Sequence, residues 1–93
     1  MNTLLVSINN NGEIVGYEEA DYITVFEMES RKMIRRFQPN QMNVLEDIIE
    51  ASDSCILVTT SISSEKLLEI EEYGVKVIFV DKKDLRDFLN EIF

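Results

Sequence analysis

The chain contains no histidine and no tryptophan, and it has only one cysteine and one proline. Without imidazole it can form neither a Ser/His/Asp triad nor a Cys/His pair, and zinc sites that need histidine are excluded. The single thiol, Cys55, can form no intrachain disulfide and no multi-cysteine cluster site. We expect Cys55 to be a small core residue, because it opens a predicted buried strand; a reactive or ligating thiol is the alternative.

Basic residues and long apolar runs are also scarce. The 9 lysine and arginine residues face 18 acidic residues, so the formal net charge is −9. This charge is opposite in sign to that of a duplex-binding domain, so nucleic acid is disfavoured as a partner. No apolar run approaches the roughly 18 residues of a membrane helix, so we expect no membrane partner. The length suits one core and the cysteine content suits a reducing compartment, so we expect a single cytoplasmic domain over residues 1–93.

Apolar runs and turn residues alternate along the chain in a pattern typical of an α/β domain. We predict helices over 41–52, 63–73 and from 81 onward, and strands over 4–8, 22–28, 32–37, 55–58 and 75–80. The second and third strands form a hairpin, and the later strand–helix–strand units favour parallel pairing. The predicted fold is therefore a mixed five-stranded sheet with an antiparallel hairpin edge and three flanking helices.

Individual residues are predicted to begin and end these elements. Asn40 and Asp81 can cap the N-termini of the first and last helices, and Gly74 suits the position after the second helix. We also expect Val77 to lie in a central strand, where an aspartate would unfold the domain.

Polar residues follow two of the predicted strands, at the edge where open α/β sheets bind ligands. Ser63 lies at the start of the second helix, whose free N–H groups favour an anion, and Asp81 is the only base at this edge. The alternative is a polar turn that only caps the helix. The sequence predicts a site for a small anionic ligand formed by Asn9, Asn10, Thr59, Thr60, Ser61 and Ser63.

Four of the nine cations lie within six residues, at Arg31, Lys32, Arg35 and Arg36. This cluster could contact phosphate or an acidic protein partner. Alternatively, its charges only protect an edge strand from aggregation.

Carboxylates are not placed as a two-metal nuclease requires, because the first strand and the strand at 55–58 end in neutral residues. An acidic run in the second helix is either a solvated face or a site for a hard cation, and it comprises Glu65, Glu69, Glu71 and Glu72. We favour the solvated face and predict no catalytic residue and no metal ligand.

Three stretches of the chain resemble the accessory-protein family of nitrogenase iron–molybdenum cofactor biosynthesis: Leu4–Gly12, Asp21–Ile34 and Ser54–Val77. The resemblance implies a ribonuclease H-like fold and an iron–molybdenum-type cluster as cargo. The family's histidine-containing stretch is replaced here by Gly16-Tyr17-Glu18-Glu19-Ala20. Because such clusters are anchored by imidazole or thiolate, we expect that this chain alone does not bind one.

Two functions are consistent with these features. The first is a non-catalytic binding or carrier module, related to the cofactor family, for a small anionic ligand or a cluster held partly by a partner. The second is a protein–protein interaction domain that uses the basic hairpin edge or an exposed helix.

Overall fold

The computed structural model describes all residues, 1–93. Five strands and three helices follow one another along the chain, and a short 3-10 helix, Tyr17–Glu19, lies between the first two strands. In chain order the elements are β1 (Asn2–Ile8), β2 (Tyr22–Glu27), β3 (Lys32–Phe37), α1 (Met42–Glu50), β4 (Ser54–Thr59), α2 (Ser64–Glu72), β5 (Lys76–Phe79) and α3 (Leu85–Ile92).

The five strands form one mixed sheet in the order β3-β2-β1-β4-β5. β1 pairs antiparallel with β2 and parallel with β4, while β2–β3 is antiparallel and β4–β5 is parallel. The predicted mixed sheet with a hairpin edge and three helices is confirmed. β1 lies at the centre of this sheet, which explains its nearly unbroken apolar run, because both of its faces are buried.

Helices cover both faces of the sheet. On the face we call the α1/α2 face, Leu45, Ile48 and Ile70 from the helices join alternate residues of the strands, including Leu5 and Leu57. On the opposite α3 face, the single helix α3 contributes Phe88 to a second cluster, which includes Leu4, Val6, Phe26 and Val58. None of the three helices has the length and apolar character needed to cross a membrane.

Two predicted helix caps are wrong. Asp84, not Asp81, is the N-cap of α3, and its Oδ1 accepts a hydrogen bond from the Arg86 N–H at 2.8 Å. α1 begins after Gln41 rather than Asn40, and no side chain caps it. At α3 a second aspartate, three residues along the chain, takes the role, and local sequence alone does not specify the first residue of a helix. Gly74, with a φ of 87°, follows α2 as predicted.

β5 occupies one edge of the sheet, so the expectation of a central strand at Val77 is wrong. Val77 is half-buried and packs against the α1/α2 face, while its neighbours Ile78 and Phe79 are exposed. The sheet therefore has two open edges, β3 and β5, and their side chains differ. β5 carries one cation, Lys76, whereas β3 carries three.

Candidate functional site

The turn after β1 uses the side chain of Asn9 to hold its own backbone. The Asn9 Oδ1 accepts hydrogen bonds from the N–H groups of Asn11 and Glu13, both at 3.0 Å, and its amide nitrogen donates to Glu13 Oε1 at 3.1 Å. Asn10 donates its backbone N–H to Asp21 Oδ2 at 2.8 Å. Asn9 and Asn10 thus serve as turn-forming residues in the structure.

Thr59, at the end of β4, lies in a buried hydroxyl network. Its Oγ1 receives a hydrogen bond from Ser7 Oγ at 2.8 Å and contacts the carbonyl oxygens of Ser61 at 3.0 Å and Val15 at 3.2 Å. The Thr59 side chain is fully buried, and no buried side-chain polar atom of the domain lacks a partner. This threonine therefore presents no free donor at the surface.

The start of α2 is already occupied by a carboxylate. The Ser63 N–H donates to Glu18 Oε1 at 2.7 Å, and the Ser63 side chain caps the helix by accepting from the Lys66 N–H at 3.3 Å. Free N–H groups at a helix start attract negative charge, which is the physical basis of the predicted anion site. The sequence did not indicate that the chain supplies this charge itself.

The segment that carries Glu18 packs directly on the predicted edge. The Tyr17 N–H donates to the Ser61 carbonyl at 2.8 Å, and a side-chain Cβ at Gly16 would lie 2.4 Å from Ser61 Oγ. The structure thus brings Thr59, Ser61 and Ser63 together against residues 15–18, whereas Asn9 and Asn10 contact Glu13 and Asp21. The small-anion site stays a prediction, and an added anion would have to displace Glu18.

No reactive group in the core is activated. Burial raises the pKa of the Cys55 thiol to about 11, so the thiol is neutral near pH 7. Burial, and then the charges of Glu69 and Glu18, raise the pKa of Tyr17 to about 12, and its hydroxyl donates to the Pro39 carbonyl at 3.2 Å. Both groups are therefore poor nucleophiles and poor bases in the folded state.

The acidic residues of α2 do not form a cluster. Glu69 pairs with Lys66 at 3.1 Å, and the other three carboxylates lie on the exposed surface of the helix. No group of three or more cysteine, aspartate or glutamate side chains in the domain is arranged to hold a metal ion.

The four cations around β3 lie together on the exposed edge of the sheet, and we call Arg31, Lys32, Arg35 and Arg36 the basic edge. None of them lies within 4.0 Å of an aspartate or glutamate carboxylate; the ion pairs of the domain are formed by Lys66, Lys82, Lys83 and the amino group of Met1. In a chain of net charge −9 this is a local concentration of positive charge without acidic side-chain partners.

Aromatic rings hold the two ends of the basic edge. The Arg36 guanidinium lies 4.3 Å from the centre of the Tyr22 ring, and the Arg31 guanidinium lies 5.8 Å from that of Phe93. Arg31 also donates to a main-chain oxygen of Phe93, the last residue of the sequence, at 3.0 Å. These contacts restrict the two side chains.

β3 also exposes apolar side chains and a free backbone edge. Met33 is 54% exposed and Ile34 is 47% exposed, and no strand pairs with the outer side of β3. A bulge shifts the β2–β3 register between Val25 and Phe26, so Met33 faces Phe26 and Ile34 has no partner residue. The consecutive apolar pair Met33-Ile34 is the sequence signal for this feature, because a regular edge strand would alternate apolar and polar residues.

A surface groove of about 370 Å³ lies beside this edge on the α3 face. It is lined by Asn11, Gly12, Phe26, Met33, Asp84, Leu85, Arg86 and Leu89. A second depression of about 350 Å³ lies near Pro39. It is polar, because only one of its six lining residues is hydrophobic. Neither depression includes any of the six residues predicted to bind a small ligand.

Comparison with known proteins shows the fold and nothing finer. No family model matches the chain, and no curated protein matches it. Two solved structures share the fold. The crystal structure of PH0822 has a TM-score of 0.69 at 12% identity, covering 97% of this chain and 88% of that chain. The NMR structure of TM1290 from Thermotoga has a TM-score of 0.72 at 12% identity, covering 99% and 87%.

These findings overturn the resemblance to the nitrogenase iron–molybdenum cofactor family. The protein TM1290 is provisionally described as a NifB protein and belongs to the DUF35 family, and neither structure is identified as an iron–molybdenum cofactor domain. The ribonuclease H-like designation that came with the resemblance is likewise unsupported. The order and length of elements, which carried the resemblance, are properties of a fold and do not identify a family.

Proposed function

We propose that this domain is a non-catalytic interaction module that binds an acidic, extended segment of a protein partner at its basic edge. The observation that carries the proposal is the group of four cations without aspartate or glutamate partners, on an open edge strand of a domain with net charge −9. This observation supports the interaction domain over the small-ligand carrier. The cations lie on an open edge, and Glu18 occupies the helix start where a small anion was expected.

Strand addition is the binding mode that suits this edge. An extended peptide can pair its backbone with the free N–H and C=O groups of β3, and its side chains alternate between the two faces of the sheet. Arg35 faces Val25 and lies on the α1/α2 face, whereas Arg36 faces Thr24 and lies on the α3 face beside Tyr22. Carboxylates on either face of an added strand therefore meet a cation.

Protection against aggregation is the competing explanation for these charges, because natural edge strands often carry lysine for this purpose. Protection alone does not account for Met33 and Ile34, which expose two apolar side chains within the same strand. An edge with both unpaired charge and exposed apolar surface is what a binding strand needs, since charge gives orientation and apolar burial gives affinity.

The absence of an activated nucleophile or base supports a non-catalytic role. The raised pKa values of Cys55 and Tyr17 keep both groups protonated at neutral pH, and both side chains are buried.

The test is a titration of the 15N-labelled domain with a nine-residue peptide in which Glu alternates with Thr, followed by heteronuclear NMR at low salt. We expect shift changes in residues 31–36 and in β2. The Lys32→Glu variant should raise the Kd by about tenfold, because an attraction becomes a repulsion.

The matched control is Lys76→Glu, which makes the same charge change on the other edge strand. Lys76, like Lys32, is exposed and forms no ion pair. We expect this variant to bind the peptide nearly as well as the unmodified domain. Shift changes spread over the whole surface, or an equal loss in the two variants, would show that only net charge matters and would overturn the proposal.

A further inference from the structure

The groove beside the basic edge has an apolar floor. Phe26 is almost fully buried, Leu85 and Leu89 are half-buried, and Met33 is 54% exposed at the side nearest β3. Partly exposed apolar walls of this kind gain free energy when a further apolar side chain covers them.

The groove is lined by one charged residue of each sign. Arg86 is exposed at the rim and forms no ion pair. Asp84 also lines the groove, but its carboxylate accepts the Arg86 N–H and caps α3. The groove therefore adds no net charge to the basic edge, and Arg86 is the cation at its rim.

The register of β3 relates the groove to the basic edge. Met33 faces Phe26 and Arg36 faces Thr24, and Phe26 and Thr24 are two residues apart on β2. Paired residues of neighbouring strands point to the same face, and the bulge takes up Ile34, so Met33 and Arg36 both stand on the α3 face although they are three residues apart on β3. A strand added outside β3 would place one side chain over the groove and another, two residues along, near Arg36.

We infer that the partner segment carries one large apolar side chain two positions from an acidic residue, and that the groove between β3 and α3 receives this apolar anchor. The inference rests on the proposed function and adds to it the pattern that the partner must have. Charge complementarity at Arg36, and continuity with the basic edge, identify the occupant as an acidic segment of a protein.

The test compares two nine-residue peptides in which the central Glu of the alternating Glu–Thr peptide is replaced by Leu or by Ser. The two peptides have the same charge and differ only in the anchor. We expect the Leu peptide to bind about tenfold more tightly, as measured by NMR titration or calorimetry, because part of a leucine side chain becomes buried.

Two variants locate the anchor. Met33→Ser removes one wall of the groove and should reduce the preference for Leu to about twofold or less. Ile34→Ser changes an exposed apolar side chain on the same strand that does not line the groove, so it should keep the preference. Melting curves of both variants establish that they are folded.

The possible outcomes separate the two proposals. If both peptides bind β3 equally well, the anchor inference is wrong and the proposed function stands. If neither peptide shifts the resonances of β3, both are wrong. If Met33→Ser keeps the full preference for Leu, the apolar side chain binds elsewhere and the inference is overturned.

Discussion

Cys55 shows how burial alone changes the chemistry of a side chain. It is 6% exposed in β4, and burial raises its pKa from 9.0 to about 11. At pH 8 the folded domain should therefore contain about 100-fold less thiolate than the unfolded chain. We predict that a thiol reagent such as DTNB reacts at least about 100-fold more slowly with the native domain than with the domain in urea. A native reaction as fast as that of the unfolded chain would mean that Cys55 is accessible and its thiol activated.

Single residues also mark the limit of what the sequence could predict about the candidate site. The cluster of four cations was predictable because the residues are close in sequence and all lie on the same strand or its turn. The contact between Ser63 and Glu18 was not, because 45 positions separate the two residues. A helix start indicates that an anion is favourable, but only the tertiary structure determines which carboxylate fills the position.

At the scale of elements, the helix α2 gives a test of the original anion prediction. Glu18 accepts the Ser63 N–H, so removal of its charge should weaken this contact and allow an external anion to compete for the helix start. We predict that phosphate, compared with chloride at matched ionic strength, raises the Tm of Glu18→Gln by about 4 °C more than that of the unmodified domain. Thermal denaturation followed by circular dichroism measures the difference.

Phosphate also stabilises proteins by exclusion from their surfaces, so the Glu18→Gln experiment needs its own control. Ser63 has a φ of −64°, which proline can adopt, and proline lacks the N–H that Glu18 accepts. Adding Ser63→Pro to Glu18→Gln should therefore remove the extra effect of phosphate. An equal phosphate effect in all three proteins would indicate that the start of α2 is not an anion site, with or without Glu18.

The elements themselves were more predictable than their arrangement. β3 has the predicted bounds, and each of the other predicted elements overlaps an observed one, because local periodicity specifies strand and helix. The position of β5 at an edge depends on pairing between distant parts of the chain, which local periodicity does not specify. The start of α3 moved from the predicted Asp81 to Asp84 because the segment before it pairs with the turn after β1, where Ile14 donates its N–H to the Lys83 carbonyl at 2.8 Å.

For the whole molecule, the local charge of the basic edge and the net charge of the domain have opposite signs. Two domains repel each other through their net charge of −9, and two β3 edges repel each other through their cations. Replacing Lys32 and Arg35 by Thr takes the formal net charge to −11, which by itself should make the domain less prone to associate. The same change leaves Arg36 as the only cation of β3, beside the exposed Met33 and Ile34, which should make edge-to-edge pairing more favourable.

We predict that the local effect dominates, because repulsion between whole domains is screened over roughly 8 Å at physiological salt, whereas strand pairing brings backbones to within about 5 Å. The Lys32→Thr/Arg35→Thr variant should therefore show a higher weight-average sedimentation coefficient than the unmodified domain at high protein concentration. The control is Lys76→Thr, which removes a cation from the other open edge. Comparison of its sedimentation coefficient with that of the double variant tests whether association depends on the cations of β3 in particular. Unchanged sedimentation of the double variant would show that the cations of β3 are not needed to keep this edge from pairing with itself. Partner binding would then be the remaining reason for an unpaired basic strip on an acidic domain.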